Sequence, residues 1–151
     1  MQDRDRKSGP SLPSLITVVL VVTVGGCSTV MDVRTSATER AVVFRMYERG
    51  GADPLRGHLV KVSVSEYSPS GTGRHVWVLL ADCTFDAVAY GAACDKSQEL
   101  VAPEPLRRDV VYVVAVSATL GGPVAYGSDV FKLDPDTGRV IELRASGDAS
   151  R

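Results

Sequence analysis

Valine-rich runs with apolar residues at every second position are the feature that most limits the fold of this chain. In Leu59–Tyr67, valines alternate with lysine and serine, and Asp109–Leu120 is denser still in valine. A period of two is the spacing of side chains on one face of a β-strand. Because β-branched residues lose rotamer freedom in a helix, these runs favour strands.

Turn-forming clusters separate the runs. Glycine and proline interrupt the pattern at 50–54, at 68–73 and at 121–123, and Asp134–Gly138 is typical of a hairpin turn. About seven or eight short strands result, with no convincing helix outside the amino-terminal segment. The sequence therefore predicts an all-β domain over residues 41–144, a single antiparallel β-sandwich, with a small β-barrel as the alternative.

The predicted core centres on His75–Cys83, the most apolar run after the amino-terminal segment, which contains the only tryptophan. Trp77 is expected to anchor the core rather than to bind a ligand. Residues 95–108 are polar and contain two prolines, so they are predicted to form a long connection. The residues expected to be buried are Val60, Val62, Val64, Trp77, Leu79, Val111, Val113 and Phe131.

The amino-terminal segment has the order of parts of a secretory signal. A basic start containing Arg4, Arg6 and Lys7 precedes a ten-residue, largely apolar run, Leu15–Val24. That run is shorter than the 20 or so residues needed to cross a bilayer as a helix, and it has the length of a signal-peptide core. Small residues follow it. The segment is therefore expected to direct export and then to be removed.

The four residues Val24, Gly25, Gly26 and Cys27 resemble the lipobox of bacterial lipoproteins. The resemblance covers residues 1–27 only. It implies that residues 1–26 are a signal peptide, cut before Cys27 by a signal peptidase that recognises Val24, Gly25 and Gly26. It also implies acyl chains, such as palmitate, on Cys27, which would hold the protein on the non-cytoplasmic side of a membrane. Ser28 resembles the residue type that permits sorting to an outer membrane, and whether the membrane is that one or the plasma membrane stays open.

The rest of the mature chain divides into three parts. Residues 27–40 are expected to be the lipidated cysteine and a polar tether, although Met31–Val33 could begin a short edge strand. Residues 41–144 form the domain, and residues 145–151 a flexible tail. The whole chain has a net charge of −1, without a clustered basic face, so no nucleic-acid partner is expected.

Two cysteines remain once Cys27 is assigned to lipid. Cys83 and Cys94 are an even number in a compartment where disulfides persist, which favours a bond between them. Two buried thiols and a metal pair are the alternatives. Zinc normally needs four ligands, and His58 and His75 are isolated in the sequence, so the metal alternative is the weaker one.

No motif for catalysis or cofactor binding is found. The chain lacks a nucleophile elbow, H-E-x-x-H and C-x-x-C. Asp134–Gly138 has alternating aspartates, but the twelfth position of a calcium loop, which needs glutamate, would be Ala145. We therefore predict no catalytic residue, no metal and no cofactor, and we expect a non-enzymatic protein.

The function expected from these features is that of a cell-envelope lipoprotein, attached to the membrane by lipid on Cys27. Its β domain would contact another envelope protein, for example by strand addition at an open sheet edge. Binding of a small molecule or peptide in a cleft is the alternative, and an exported enzyme is a weaker third hypothesis.

Overall fold

Nine β-strands make up the described part of the chain. The structure is a computed structural model, and it describes residues 29–71 and 73–143. The strands are β1 (Thr29–Ala37), β2 (Val42–Tyr47), β3 (Gly57–Glu66), β4 (His75–Phe85), β5 (Val88–Ala89), β6 (Ser97–Val101), β7 (Val111–Thr119), β8 (Val124–Leu133) and β9 (Val140–Glu142).

The strands form one curled sheet in the order β5-β2-β1-β8-β7-β3-β4-β6, and β9 pairs with β8 beside β1. The sheet is a half-barrel without any helix in the described ranges, which confirms the all-β prediction and is consistent with a sandwich or a barrel. One pairing, between β1 and β8, is parallel. It joins strands far apart in the chain, where no hairpin imposes an antiparallel direction.

Strand β1 occupies most of the range predicted to be a tether. It pairs with β2 over Asp32–Ala37 along one edge and with β8 over Thr29–Asp32 along the other. Met31, Val33 and Thr35 are buried on its inner face. The prediction of a polar tether is therefore wrong for these residues, and the alternative of a strand at Met31–Val33 was nearer. The alternation was hidden because Thr35, a polar residue, takes the third inward position.

Thr35 is accommodated in the core by Asp129 of β8. The Asp129 carboxylate accepts hydrogen bonds from the Thr35 backbone N–H at 2.9 Å and from its hydroxyl at 2.7 Å. Both residues are buried. The β1–β8 ladder ends at Asp32, so the carboxylate takes the place of the carbonyl that a longer ladder would supply.

Two further boundaries differ from the sequence prediction. Residues 95–108 are not a continuous connection, because Ser97–Val101 forms the edge strand β6 on β4. Three consecutive exposed residues, Gln98, Glu99 and Leu100, give β6 no alternating pattern of burial. The sequence predicts two short strands, Val124–Tyr126 and Val130–Leu133, but β8 is continuous through Gly127, where a Cβ would lie 2.7 Å from the Met31 backbone oxygen.

The interior of the curl is filled by large side chains. The predicted burial of Val62, Val64, Trp77, Leu79 and Phe131 is confirmed, with at most 2 % of each exposed. The Phe131 ring packs between two other aromatic rings, with centroids 5.8 Å away at Phe44 and 5.6 Å away at Tyr112. These three rings pack together in the core, and a cavity of about 130 Å³ lies beside Cys83 and Cys94.

Three residues predicted to be buried are not. Val60 is 38 % exposed because a β-bulge between Leu59 and Lys61 leaves it without a register partner and turns it outward. On β7 the buried face carries Tyr112 and Val114, so Val111 and Val113 are only half-buried on the opposite face. In that run both faces carry valine, so periodicity alone could not assign the inner one.

The disulfide between Cys83 and Cys94 is present, as predicted, with Cα atoms 6.6 Å apart. It fixes the segment after β4 that folds back over the open side of the curl. There the Tyr90 hydroxyl donates to the Glu104 backbone oxygen at 2.6 Å, and it lies 3.2 Å from that of Val76. These contacts tie the segment that follows β5 to β4, at the far side of the sheet.

The predicted hairpin turn at Asp134–Gly138 is also present. The Asp134 carboxylate accepts hydrogen bonds from the backbone N–H groups of Asp136 and Thr137, and these bonds lower its pKa. Gly138 has φ of 69°, the left-handed conformation that glycine adopts freely. Within the described ranges, no helix is long and apolar enough to cross a membrane.

Candidate functional site: the outer face of the sheet

An open groove of about 670 Å³ crosses the outer face of the sheet, the face opposite the core. One row of its lining runs through directly paired residues of four neighbouring strands: Lys61 on β3, Ser117 on β7, Tyr126 on β8 and Val30 on β1. Val30 is 68 % exposed and Tyr126 is 51 % exposed. We call this cavity the outer groove. Its position places it at the end of the sheet where β1 begins.

A second row of the outer groove consists of small or short residues, Ser63, Ala115, Ser128 and Asp32. Small side chains beside Tyr126 and Lys61 explain why the surface is concave here. Asp32 is the only carboxylate of the lining, and it accepts a hydrogen bond from the Gly50 N–H at 3.1 Å. Arg49 lines the same end. Two cations thus flank an exposed aromatic and an exposed aliphatic side chain.

A second exposed feature is an apolar patch beside the edge strand β6. It consists of three exposed side chains on adjacent strands: Val60 on β3 (38 % exposed), Leu80 on β4 (36 %) and Leu100 on β6 (53 %). Leu80 pairs with Lys61, the residue after Val60, and with Gln98, two residues before Leu100. In the described ranges no strand pairs with the outer edge of β6. We call these three residues and this open edge the β6 patch.

Both histidines have a polar side chain within 4 Å. Ser65 Oγ and His75 Nδ1 are 2.7 Å apart, a distance that a nucleophile and its base could have. Among the described residues, however, no carboxylate contact to the His75 ring is found. His58 lies at the other end of the β3–β4 hairpin, 3.9 Å from Asp82. The arrangement lacks the third group of a triad, and it is a cross-strand hydrogen bond on an exposed surface.

Metal binding has no geometric support within the described ranges, where no three His, Cys, Asp or Glu residues are grouped to hold an ion. A charged cluster does occur around Arg74, which contacts Glu66 at 2.7 Å and Glu104 at 2.6 Å. The hydrogen bond from Arg74 lowers the pKa of Glu66, and the two carboxylates raise that of Arg74. These ion pairs connect the β3–β4 loop to the segment after β6.

The predicted site residues divide into two groups. Cys83 and Cys94 are brought together, whereas Val24, Gly25, Gly26 and Cys27 lie outside the described residues. Sequence reasoning missed the outer groove and the β6 patch. The groove joins residues that are up to about 100 positions apart in the chain, and the patch depends on the bulges at Val60 and Leu100. No local pattern signals either.

The described residues form a small β domain with two exposed features on its surface, the outer groove and the β6 patch. Comparison of the chain with protein-family models, with curated proteins and with solved structures gives no match.

Proposed function

We propose that this protein is a cell-envelope lipoprotein whose β domain binds another envelope protein without catalysing a reaction. The leader would be cut between Gly26 and Cys27, and acyl chains on Cys27 would hold the domain on the non-cytoplasmic side of the membrane. At least two chains are needed for stable anchoring, because one gives only marginal, reversible binding.

The anchor proposal is supported from two directions. The first is the order of basic start, apolar run and Val24–Cys27 in the sequence. The second is the disulfide between Cys83 and Cys94, since such bonds persist in oxidising compartments outside the cytoplasm. A domain that stayed in a reducing cytoplasm would not keep this bond.

The observation that carries the binding proposal is the β6 patch. An open strand edge offers backbone N–H and C=O groups in a row, and natural proteins usually cover or blunt such edges. Here the edge adjoins exposed Leu80 and Leu100. An extended segment of a partner could add to β6 by backbone hydrogen bonds and place apolar side chains against the patch. By contrast, the cavity beside Cys83 and Cys94 has a volume of about 130 Å³, which is smaller than the roughly 300–1,000 Å³ of typical ligand pockets.

Mass spectrometry of the protein purified from its host tests the anchor. We expect a mature chain that begins at Cys27 and carries diacylglyceryl and a further acyl group. A Cys27→Ser variant should remain uncut or leave the membrane. An unmodified Cys27 in the native protein, or a Cys27→Ser variant that is still cut before residue 27 and still stays on the membrane, would refute the anchor.

Site-specific photo-cross-linking in the native host tests the β6 patch. A photoreactive side chain at Leu100 should form a discrete adduct with one envelope protein, whereas the same group at Asp136, in the exposed β8–β9 turn, should not. Leu100→Asp, introduced beside a photoreactive group at Gln98, should remove the adduct. Because Leu100 is exposed, this change should alter stability by no more than about 0.5 kcal/mol. Equal labelling from positions 100 and 136 would contradict partner binding at β6.

A further inference from the structure

The anchor and the folded sheet are separated by a single residue. The sequence predicts a tether up to residue 40, but β1 begins at Thr29, so only Ser28 lies between it and Cys27. At no more than about 3.6 Å per residue, the Cα atoms of Cys27 and Thr29 are at most about 7 Å apart. The polar layer on each side of a bilayer is about as thick. A domain so attached cannot stand away from the membrane.

The exposed apolar residues nearest to this attachment point are Val30 and Tyr126 of the outer groove. They are direct partners in the β1–β8 ladder, and more than half of each is exposed. Val30 is three residues from Cys27, hence within about 11 Å of it. Tyrosine is enriched at membrane interfaces because its ring is apolar and its hydroxyl is polar.

The charges around this pair suit an anionic surface. Lys61 and Arg49 both line the outer groove and are exposed. The single carboxylate of the lining, Asp32, is engaged by the Gly50 N–H. Cations next to apolar and aromatic side chains are the combination by which peripheral proteins bind bilayers that contain anionic lipids.

We propose that Val30, Tyr126, Lys61 and Arg49 form a membrane-seating patch, which docks the domain on the anionic lipid headgroups of the bilayer that holds its anchor. This inference rests on the proposed lipidation of Cys27. It gives the lipoprotein a fixed orientation on the membrane. Lys61 of the seating patch pairs with Leu80 of the β6 patch, so the two surfaces adjoin at β3, while the open edge of β6 lies five strands from β1.

The test uses the full chain, purified in its lipidated form and reconstituted into vesicles of phosphatidylcholine and phosphatidylglycerol. A fluorescent label on Ser128→Cys reports from the outer groove without removing any member of the seating patch. The same label on Asp136→Cys reports from the exposed β8–β9 turn. Lipids that carry a quencher near the headgroup should quench the Ser128 label strongly and the Asp136 label little.

Charge variants in the Ser128→Cys background test the role of the cations. On anionic vesicles, Lys61→Gln and Arg49→Gln should each lower about fivefold the ratio of domains that face the bilayer with the seating patch to domains in other orientations. Both should have little effect on vesicles of phosphatidylcholine alone. Arg139→Gln, which removes an exposed cation in the β8–β9 turn, is the matched control and should change nothing. High salt should reproduce the effect of the two variants, because it screens exposed charges.

Mass spectrometry of each sample separates failure of this inference from failure of the proposed function. A chain without acyl groups on Cys27 overturns both. A lipidated chain with equal quenching at positions 128 and 136 overturns the membrane-seating patch alone. So does a lipidated chain in which Lys61→Gln and Arg49→Gln have no effect. If the Ser128 label is shielded in native membranes but not in pure lipid vesicles, the surface is covered by a protein, and the inference is wrong.

Discussion

Trp77 has the largest fully buried side chain among the described residues. Its side chain is completely buried, and its ring meets that of Tyr90 edge-on, with centroids 5.2 Å apart. Its indole N–H is buried and has no acceptor in the part of the chain that the structure describes. Trp77 therefore stabilises the domain by packing alone, and it does so at the cost of one unpaired polar group.

Substitution of Trp77 tests this balance. Trp77→Ala should lower the free energy of unfolding by about 3–5 kcal/mol, through lost burial and the cavity left behind. Trp77→Phe should cost less, because it keeps a ring and removes the unpaired N–H. Val60→Ala, at the outward bulge, is the control and should stay within about 0.5 kcal/mol of the unchanged protein. Urea unfolding curves measure all three, and equal losses for Val60→Ala and Trp77→Ala would contradict the assigned core.

Strand β1 is the element that joins two parts of the sheet. β2 and β5 lie on one side of it, and β8 and the other paired strands lie on the other. It buries Met31 and Val33, and its Thr35 satisfies the Asp129 carboxylate. Removal of β1 would separate β2 from β8 and take away the two Thr35 donors of the buried Asp129 side chain, and a buried acceptor that loses its donors is destabilising.

Two shortened chains distinguish a strand from a tether. A chain that begins at Ser28 should unfold in one cooperative transition, because β1 is intact. A chain that begins at Ala41, the predicted domain boundary, should lack a cooperative transition and show weakened strand circular dichroism. Both are compared by thermal unfolding under the same conditions. Equal stability of the two chains would mean that residues 29–37 contribute nothing to the sheet.

At the scale of the whole molecule, Tyr90 holds the two sides of the curl together. Its hydroxyl bonds to the backbone after β6, while the Tyr90 backbone N–H donates to the Val42 oxygen of β2 at 2.8 Å. Burial raises the pKa of Tyr90 to about 12. The folded state therefore keeps the Tyr90 proton at a pH where an unfolded chain, with a tyrosine pKa of about 10, has lost it.

The sign of the pH dependence follows from this difference. Below pH 10 or so both states are protonated, and the contribution of Tyr90 to stability is fully present. Between about pH 10 and 12 the unfolded state loses its proton first, so the free energy of unfolding should fall as the pH rises. Urea unfolding across this range should show a smaller fall for Tyr90→Phe than for the exposed-residue control, Tyr67→Phe. The same fall in both variants would contradict closure through Tyr90.

Sequence patterns predicted the structure correctly where neighbouring residues alone decide it. Alternating valines specified strands, the Asp134–Gly138 turn specified a hairpin, and the even cysteine count specified a disulfide; each is confirmed. Sequence patterns did not predict burial where it depends on a residue far away in the chain. Nothing local shows that Thr35 can be buried, because its partner Asp129 lies 94 residues away.

The sequence by itself determined that the described domain is built of β-strands, since period-two burial and turn chemistry act over a few residues. It also supplies the motif on which the export and lipid proposals rest, because Val24–Cys27 lie outside the described residues. The tertiary structure alone decided which face of β7 is inward, where the bulges turn Val60 and Leu100 outward, and that β1 completes the sheet. The physical reason is that strand pairing is non-local: the partner across the ladder, not the neighbour along the chain, decides which side chains are buried and which meet at the surface.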